Sequence, residues 1–270
     1  MGQGAHAVAF ARRAMDALLE ADQDTVWALT ILGSAAIESP MPLSDVQGLL
    51  DGLTGLLGVR PTVRSELIQA QAMVALLLGD AEVAWKMIEV VRGIERDLGR
   101  RVTRRATDNE LRMLAWSGRF AEVAERAPQL LADVEASGHR HGTAVIISRL
   151  ALAQARLGQL EPAHASALAA YAGADRGDRY EAHARSLQAL AEVHLARGDL
   201  DDAVACAQQA LASVRRGDFA LLEVDVRLSL ARALASAGDA AGVAVQVDSA
   251  AQLSAAKQYA AGAAAAAALA

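Results

Sequence analysis

Leu190-Ala191-Glu192-Val193-His194-Leu195-Ala196-Arg197-Gly198-Asp199-Leu200-Asp201-Asp202-Ala203 is the stretch whose reading decides the fold. With Leu187 before it, the residues Leu187, Leu190, Ala191, His194 and Leu195 fall three and four apart, the spacing of one face of an α-helix. Gly198 ends that face. A glycine there closes a helix in the left-handed conformation without a Cβ penalty. Asp199 then opens a second amphipathic segment, so the stretch reads as helix, tight turn, helix.

Moving outward, the same punctuation returns along the chain in two ladders. One runs Gly79, Gly118, Gly158, Gly198, Gly238 at steps of 39, 40, 40 and 40 residues; the other runs Gly58, Gly99, Gly138, Gly177, Gly217 at steps of 41, 39, 39 and 40. Two interleaved ladders with one period mean two turns per unit, each glycine expected to be a left-handed cap. No period-two run bounded by hairpin turns occurs, so the chain is predicted to be all-α.

Alignment on the first ladder brings small residues into register. Leu150-Ala151, Leu190-Ala191 and Leu230-Ala231 stand before the turn; Ala84, Ala163 and Ala203 follow it by five residues, and Ala170, Ala210 and Ala250 by twelve. Small side chains there let two antiparallel helices approach closely while leucine fills the space beside them. These positions resemble the tetratricopeptide repeat, with a period longer than the usual one of about 34 residues. The resemblance implies a right-handed α-solenoid of helix hairpins. Its expected organisation is degenerate helical repeats over 1–58, five regular repeats over 59–257 and a capping helix over 258–270. Ser39-Pro40-Met41-Pro42 should break the first region. Arg119-Phe120-Ala121-Glu122-Val123-Ala124 holds an extra residue before its alanine, which would shift that helix start. Ala260 to Ala270 is expected to be an alanine-rich helix with little to pack against.

Composition narrows the function classes. The chain has 270 residues, 53% hydrophobic and 3% aromatic, with a net charge of −6. That is opposite to the signature of disorder. Cys206 is the one cysteine, which excludes a disulfide scaffold. A mildly acidic chain has no general attraction for nucleic acid or anionic lipid. The charge-free stretches Thr25 to Ile37, Leu67 to Gly79 and Gln258 to Ala270 are 13 residues each, short of the roughly 20 that span a bilayer. Met1-Gly2 lacks the Ser or Thr of a myristoylation signal, His6 standing in its place. A cytoplasmic location is expected, without membrane or direct nucleic-acid contact.

Candidate chemistry is sparse. The glycine-rich phosphate loops of nucleotide-binding proteins are absent. His139 and His141 are two apart in a turn, without further ligands at metal spacing. His164, His183 and His194 lie on separate helices, and Cys206 stands between alanines without an activating base, so all four read as packing residues. Arg-Gly-Asp occurs at Arg176, Arg197 and Arg216, each time on a ladder glycine, where a basic last-turn residue complements the helix dipole. The run Arg100-Arg101-Val102-Thr103-Arg104-Arg105 opposes the dipole at a helix start. Glu95, Asp97 and Asp108 could balance it, as could an anionic partner; the salt-bridged, solvated face is the preferred reading.

In tetratricopeptide proteins the first helix of each unit lines a concave groove. That resemblance implies a groove formed by Arg105, Arg112, Trp116, Ser148, Arg156, Arg185, Gln188, Glu192, Asp225 and Arg232. Arg105, Arg112, Arg156 and Arg185 are expected to form a basic stretch able to hold an acidic peptide, with Arg112 and Arg185 replaceable without loss of stability. Phrases such as Ala75-Leu76-Leu77-Leu78-Gly79-Asp80-Ala81-Glu82-Val83-Ala84 and Ala255-Ala256-Lys257 are similar to the C-terminal helical-repeat region of bacterial signalling ATPases, of the nucleotidyl cyclase or ATP-dependent transcription regulator type. The cyclase and ATPase motifs themselves are absent. The expected function is a non-catalytic interaction scaffold or regulatory module of bacterial signalling, binding a peptide or a partner such as an ATPase or effector domain, without cofactor or metal. Two alternatives stay open: a small-ligand, inducer-sensing module, and an enzyme assembled from distant units.

Overall fold

The computed structural model describes residues 3–20, 26–57, 60–99, 104–136, 143–174 and 180–270. These form fourteen α-helices, and no strand occurs among the described residues. Helices α1 (Gln3–Glu20), α2 (Val26–Glu38) and α3 (Leu43–Leu57) come first. Five hairpins follow: α4 (Pro61–Leu78) with α5 (Ala81–Asp97), α6 (Arg104–Trp116) with α7 (Phe120–Ala136), α8 (Thr143–Arg156) with α9 (Leu160–Ala174), α10 (Tyr180–Arg197) with α11 (Leu200–Gly217), and α12 (Ala220–Ser236) with α13 (Ala240–Lys257). The short α14 (Ala260–Ala267) comes last. Consecutive hairpins pack on one another, the arrangement of an α-solenoid. No helix among the described residues is long and apolar enough to cross a membrane.

Turn chemistry explains the hairpins. At Gly198, φ is 85°; its N–H donates to the Leu195 carbonyl at 3.1 Å and the Asp199 N–H to the His194 carbonyl at 2.9 Å. Those two bonds satisfy carbonyls that a helix end leaves open. The other four glycines of the first ladder repeat the conformation and both bonds. Gly99 is also left-handed, whereas Gly58, Gly138 and Gly177 lie outside the described residues. Gly217 departs from expectation. It is the last residue of α11, and Asp218, with φ 63°, is the left-handed residue. A Cβ on Gly217 would come within 2.2 Å of the Phe219 ring, so the glycine there makes room for an aromatic side chain rather than for a turn.

Val123 removes another expected irregularity. It sits five residues after Gly118, fully buried, where three other units carry alanine, and α7 starts in register at Phe120. The break at Ser39 to Pro42 falls where expected, between α2 and α3.

Burial divides the helices into two layers. Outer helices bury one stripe, as α11 does with Ala203, Ala207, Ala210 and Val214. Inner helices are covered on nearly every side: α10 buries Ala182, Ala184 and all residues from Ser186 to Val193. Alanine dominates the seam, so backbones approach closely; Ala191, Ala207, Leu230 and Leu234 form one apolar cluster across α10, α11 and α12.

The superhelix closes on itself. Residues of α1 to α5 share one apolar core with Leu221, Val224 and Leu228 of α12, Val247 and Ala250 of α13, Tyr259, and Ala266 of α14. Helix α14 packs against α12, α13 and α4, and Ala266 is 1% exposed. The expectation of a C-terminal helix with little to pack is therefore corrected: closure brings α4 to it. The joint also has polar ties. Lys257, 1% exposed, donates from Nζ to the carbonyls of Ala36 at 3.2 Å and Met41 at 2.6 Å. The Ser44 N–H donates to Gln258 Oε1 at 2.8 Å. Burial pulls the Lys257 ammonium down to about 8, against the opposing pull of Glu38.

Ala203 is fully buried in the α10–α11 seam. Ala203→Leu should destabilise the protein by about 1 to 3 kcal/mol through overpacking, measured by thermal denaturation. An unchanged melting temperature would break the assigned register.

Candidate functional site

Side chains at thirteen, ten, six and two residues before a ladder glycine share one face of an inner helix, because those intervals are three or four residues apart. In the structure that face points to the interior of the closed ring. Seven of the ten expected groove residues, Arg112, Trp116, Arg156, Arg185, Gln188, Asp225 and Arg232, line one cavity of about 190 Å³. Ser148 is buried on α8, with its hydroxyl donating to the Ala144 carbonyl at 2.8 Å. Glu192 is buried and does not line this cavity. The side chain of Arg105, Arg100 to Thr103, and His139 and His141 lie outside the described residues.

The arginines are largely neutralised, which corrects the expected basic stretch. Glu38, from the end of α2 and 6% exposed, accepts from both Arg112 and Arg185. Arg185 also donates to Glu181 at 2.9 Å, and Arg149 pairs with Asp108. Glu192 accepts from Arg156 at 3.0 Å, from Ser229 at 2.6 Å, and from Arg232. Burial pushes the Glu192 carboxyl up, but Arg232 and Arg156 outweigh it and hold it below its ordinary value. Burial likewise draws Arg149 down to about 10, opposed by Asp108. The Arg112 guanidinium also lies 5.0 Å from the Trp116 ring centre, in cation–π contact.

Asp225 stands apart in this network. Its carboxylate accepts from the Tyr259 hydroxyl at 3.4 Å, and no ion pair joins it to an arginine among the described residues. Burial pushes its carboxyl up to about 6, Arg185 pulling back and Glu38 adding to the rise. Tyr259 is itself held well above its ordinary value by burial and by Asp225.

Three contributors escaped the sequence reading. Arg149 is nine residues before its ladder glycine, three before Leu152 and seven before Arg156 on one helix face, so spacing alone could have found it. Glu38 and Tyr259 lie outside the regular repeats, and no periodicity points to them. Elsewhere the histidines and the cysteine pack: His164 and His194 meet edge to face with ring centres 5.9 Å apart, His183 lies against Tyr171, and Cys206 is half-buried, its thiol pushed up by burial and by Asp202. Among the described residues no three His, Cys, Asp or Glu side chains gather as a metal site would require.

Two outcomes follow from these charges. Arg112→Ala with Arg185→Ala would strand Glu38 as a buried carboxylate, so the double variant should lose about 3 to 5 kcal/mol of stability by denaturant titration, contrary to the expectation that these arginines are dispensable. Asp225 has a folded value above its unfolded one. Its contribution is fully present below about pH 4 and lost as pH rises through 6, leaving a cost at neutral pH. Asp225→Asn should therefore stabilise by up to about 2 kcal/mol at pH 7.5 and by little at pH 4. Equal melting-temperature changes at both pH values would refute this.

No protein-family profile and no characterised protein matches the sequence. Among solved structures, the chain is similar to the crystal structure of BtubC (BKLC) from P. vanneervenii, with a TM-score of 0.52 and 19% identity over 79% of this chain and 89% of that one. At that identity the likeness is one of fold.

Proposed function

We propose that this protein is a non-catalytic regulatory module built of tetratricopeptide-type repeats, which senses a small ligand enclosed by its superhelix. One observation carries the reading: the face that an open solenoid would offer to a peptide is partly covered by Tyr259 and α14, leaving a half-open cavity of about 190 Å³. A cavity of that size suits a small molecule. The similarity of the repeats to those of bacterial signalling ATPases supports a place beside an ATPase or effector domain. Ligand occupancy would be relayed there through the joint between α2–α3 and α13–α14.

A second reading, the scaffold that captures an acidic peptide or partner domain, is supported by the five arginines on the inner face, and it requires the ring to open. Calorimetry and thermal-shift measurements against small metabolites and against acidic peptides separate the two. Small molecules should raise the melting temperature and peptides should not. Peptide binding, with a lengthening of the distance between dyes on α3 and α14, would replace the sensor by the scaffold.

A further inference from the structure

Around the cavity, five guanidiniums meet four carboxylates. Arg112, Arg149, Arg156, Arg185 and Arg232 reach the cavity, and Glu38, Asp108, Glu181 and Glu192 are their ion-pair partners. Asp225 is the fifth carboxylate, unpaired with any arginine among the described residues. With Asp225 protonated the network is one negative charge short.

Two of the arginines have unused donors. Arg112 bonds Glu38 through Nη2, and Arg232 bonds Glu192 and Ser229 through Nη2. The Nε–H of each is buried without a hydrogen-bond partner. A guanidinium engages a carboxylate in its strongest form through two parallel N–H donors, and burial of an unmatched donor is costly. Apolar side chains, Trp116, Phe120, Leu152 and Leu228, share the wall with Gln188 and Tyr259. The volume exceeds the roughly 150 Å³ of a cavity that admits benzene.

Resting on the small-ligand reading above, we propose that the cavity binds a ring-sized monocarboxylate. Its carboxylate engages the guanidiniums of Arg112 and Arg232, its apolar body lies against Trp116 and Leu228, and it replaces Asp225 as the fifth counter-charge. Asp225 takes up a proton as the ligand enters. The groups facing that carboxyl are Arg185 from α10, Arg232 on its own α12, Glu38 from α2 and Tyr259 ahead of α14.

Calorimetric titration of the whole chain with benzoate, benzyl alcohol and benzylamine tests this. Benzoate should bind about tenfold more tightly than the alcohol, more tightly at pH 5.5 than at pH 8, and with proton uptake visible in buffers of different ionisation enthalpy. The amine should not bind. Arg232→Lys, which keeps the charge beside Glu192 and removes the fork, should lose most of the benzoate affinity. Asp225→Asn should bind benzoate more tightly at pH 8 and without proton uptake; it decides the matter if Arg232→Lys fails to fold. Equal binding of alcohol and benzoate, or unchanged benzoate affinity in Asp225→Asn, overturns the carboxylate proposal and leaves the small-ligand reading standing. Absence of binding by benzoate and alcohol alike, alongside binding of a different small molecule in the metabolite screen, overturns only this proposal. No small-molecule binding of any kind removes both.

Discussion

A single carboxylate, Glu38, holds the centre of the molecule. It is buried, and it accepts from Arg112 on α6 and Arg185 on α10, helices that no local contact would bring to the end of α2. An isolated buried charge is expensive, and attraction offsets that cost only where the geometry supplies its partners. The position of α2 is thus tied to the inner face of the repeat array, and the arginines of that face are tied to one another through shared acids.

Closure is the other half of this arrangement. A solenoid unit buries its faces only against neighbours, so the ends of an open array are its weakest parts. Here each end serves as the other's cap. Helix α14 has few large side chains to pack, yet it becomes part of the core because α4 lies beside it, and Lys257 satisfies two carbonyls at the break after α2. The apolar character of α2 on all sides, through Ala28, Leu29, Leu32, Ala36 and Ile37, belongs to an enclosed helix rather than to an exposed end.

The consequence for function is a change in what the inner face can accept. An open groove lined by arginines would attract an extended acidic segment; a closed ring with its arginines paired holds instead a cavity with donors, apolar side chains and one acid, Asp225, that has no arginine ion pair among the described residues. The same residues serve in both pictures. What differs is access, and with it the size of the ligand.

Local sequence determined the helices, their hairpin pairing and the inner face. The signals were glycines at left-handed turns, alanines where helices touch, and polar residues three and four apart, all dictated by backbone geometry and close packing within about forty residues. Arg112, Arg185 and Asp225 were legible for that reason, and Arg149 could have been. Tertiary structure alone decided that the array closes, that Glu38 and Tyr259 join the site, that Asp218 rather than Gly217 takes the left-handed turn, and that the groove arginines are paired. Those outcomes rest on contacts between residues up to about 220 positions apart, such as Lys257 with Ala36. They depend on the small rotation from each hairpin to the next, summed over five hairpins, and no periodicity in a single chain encodes that sum.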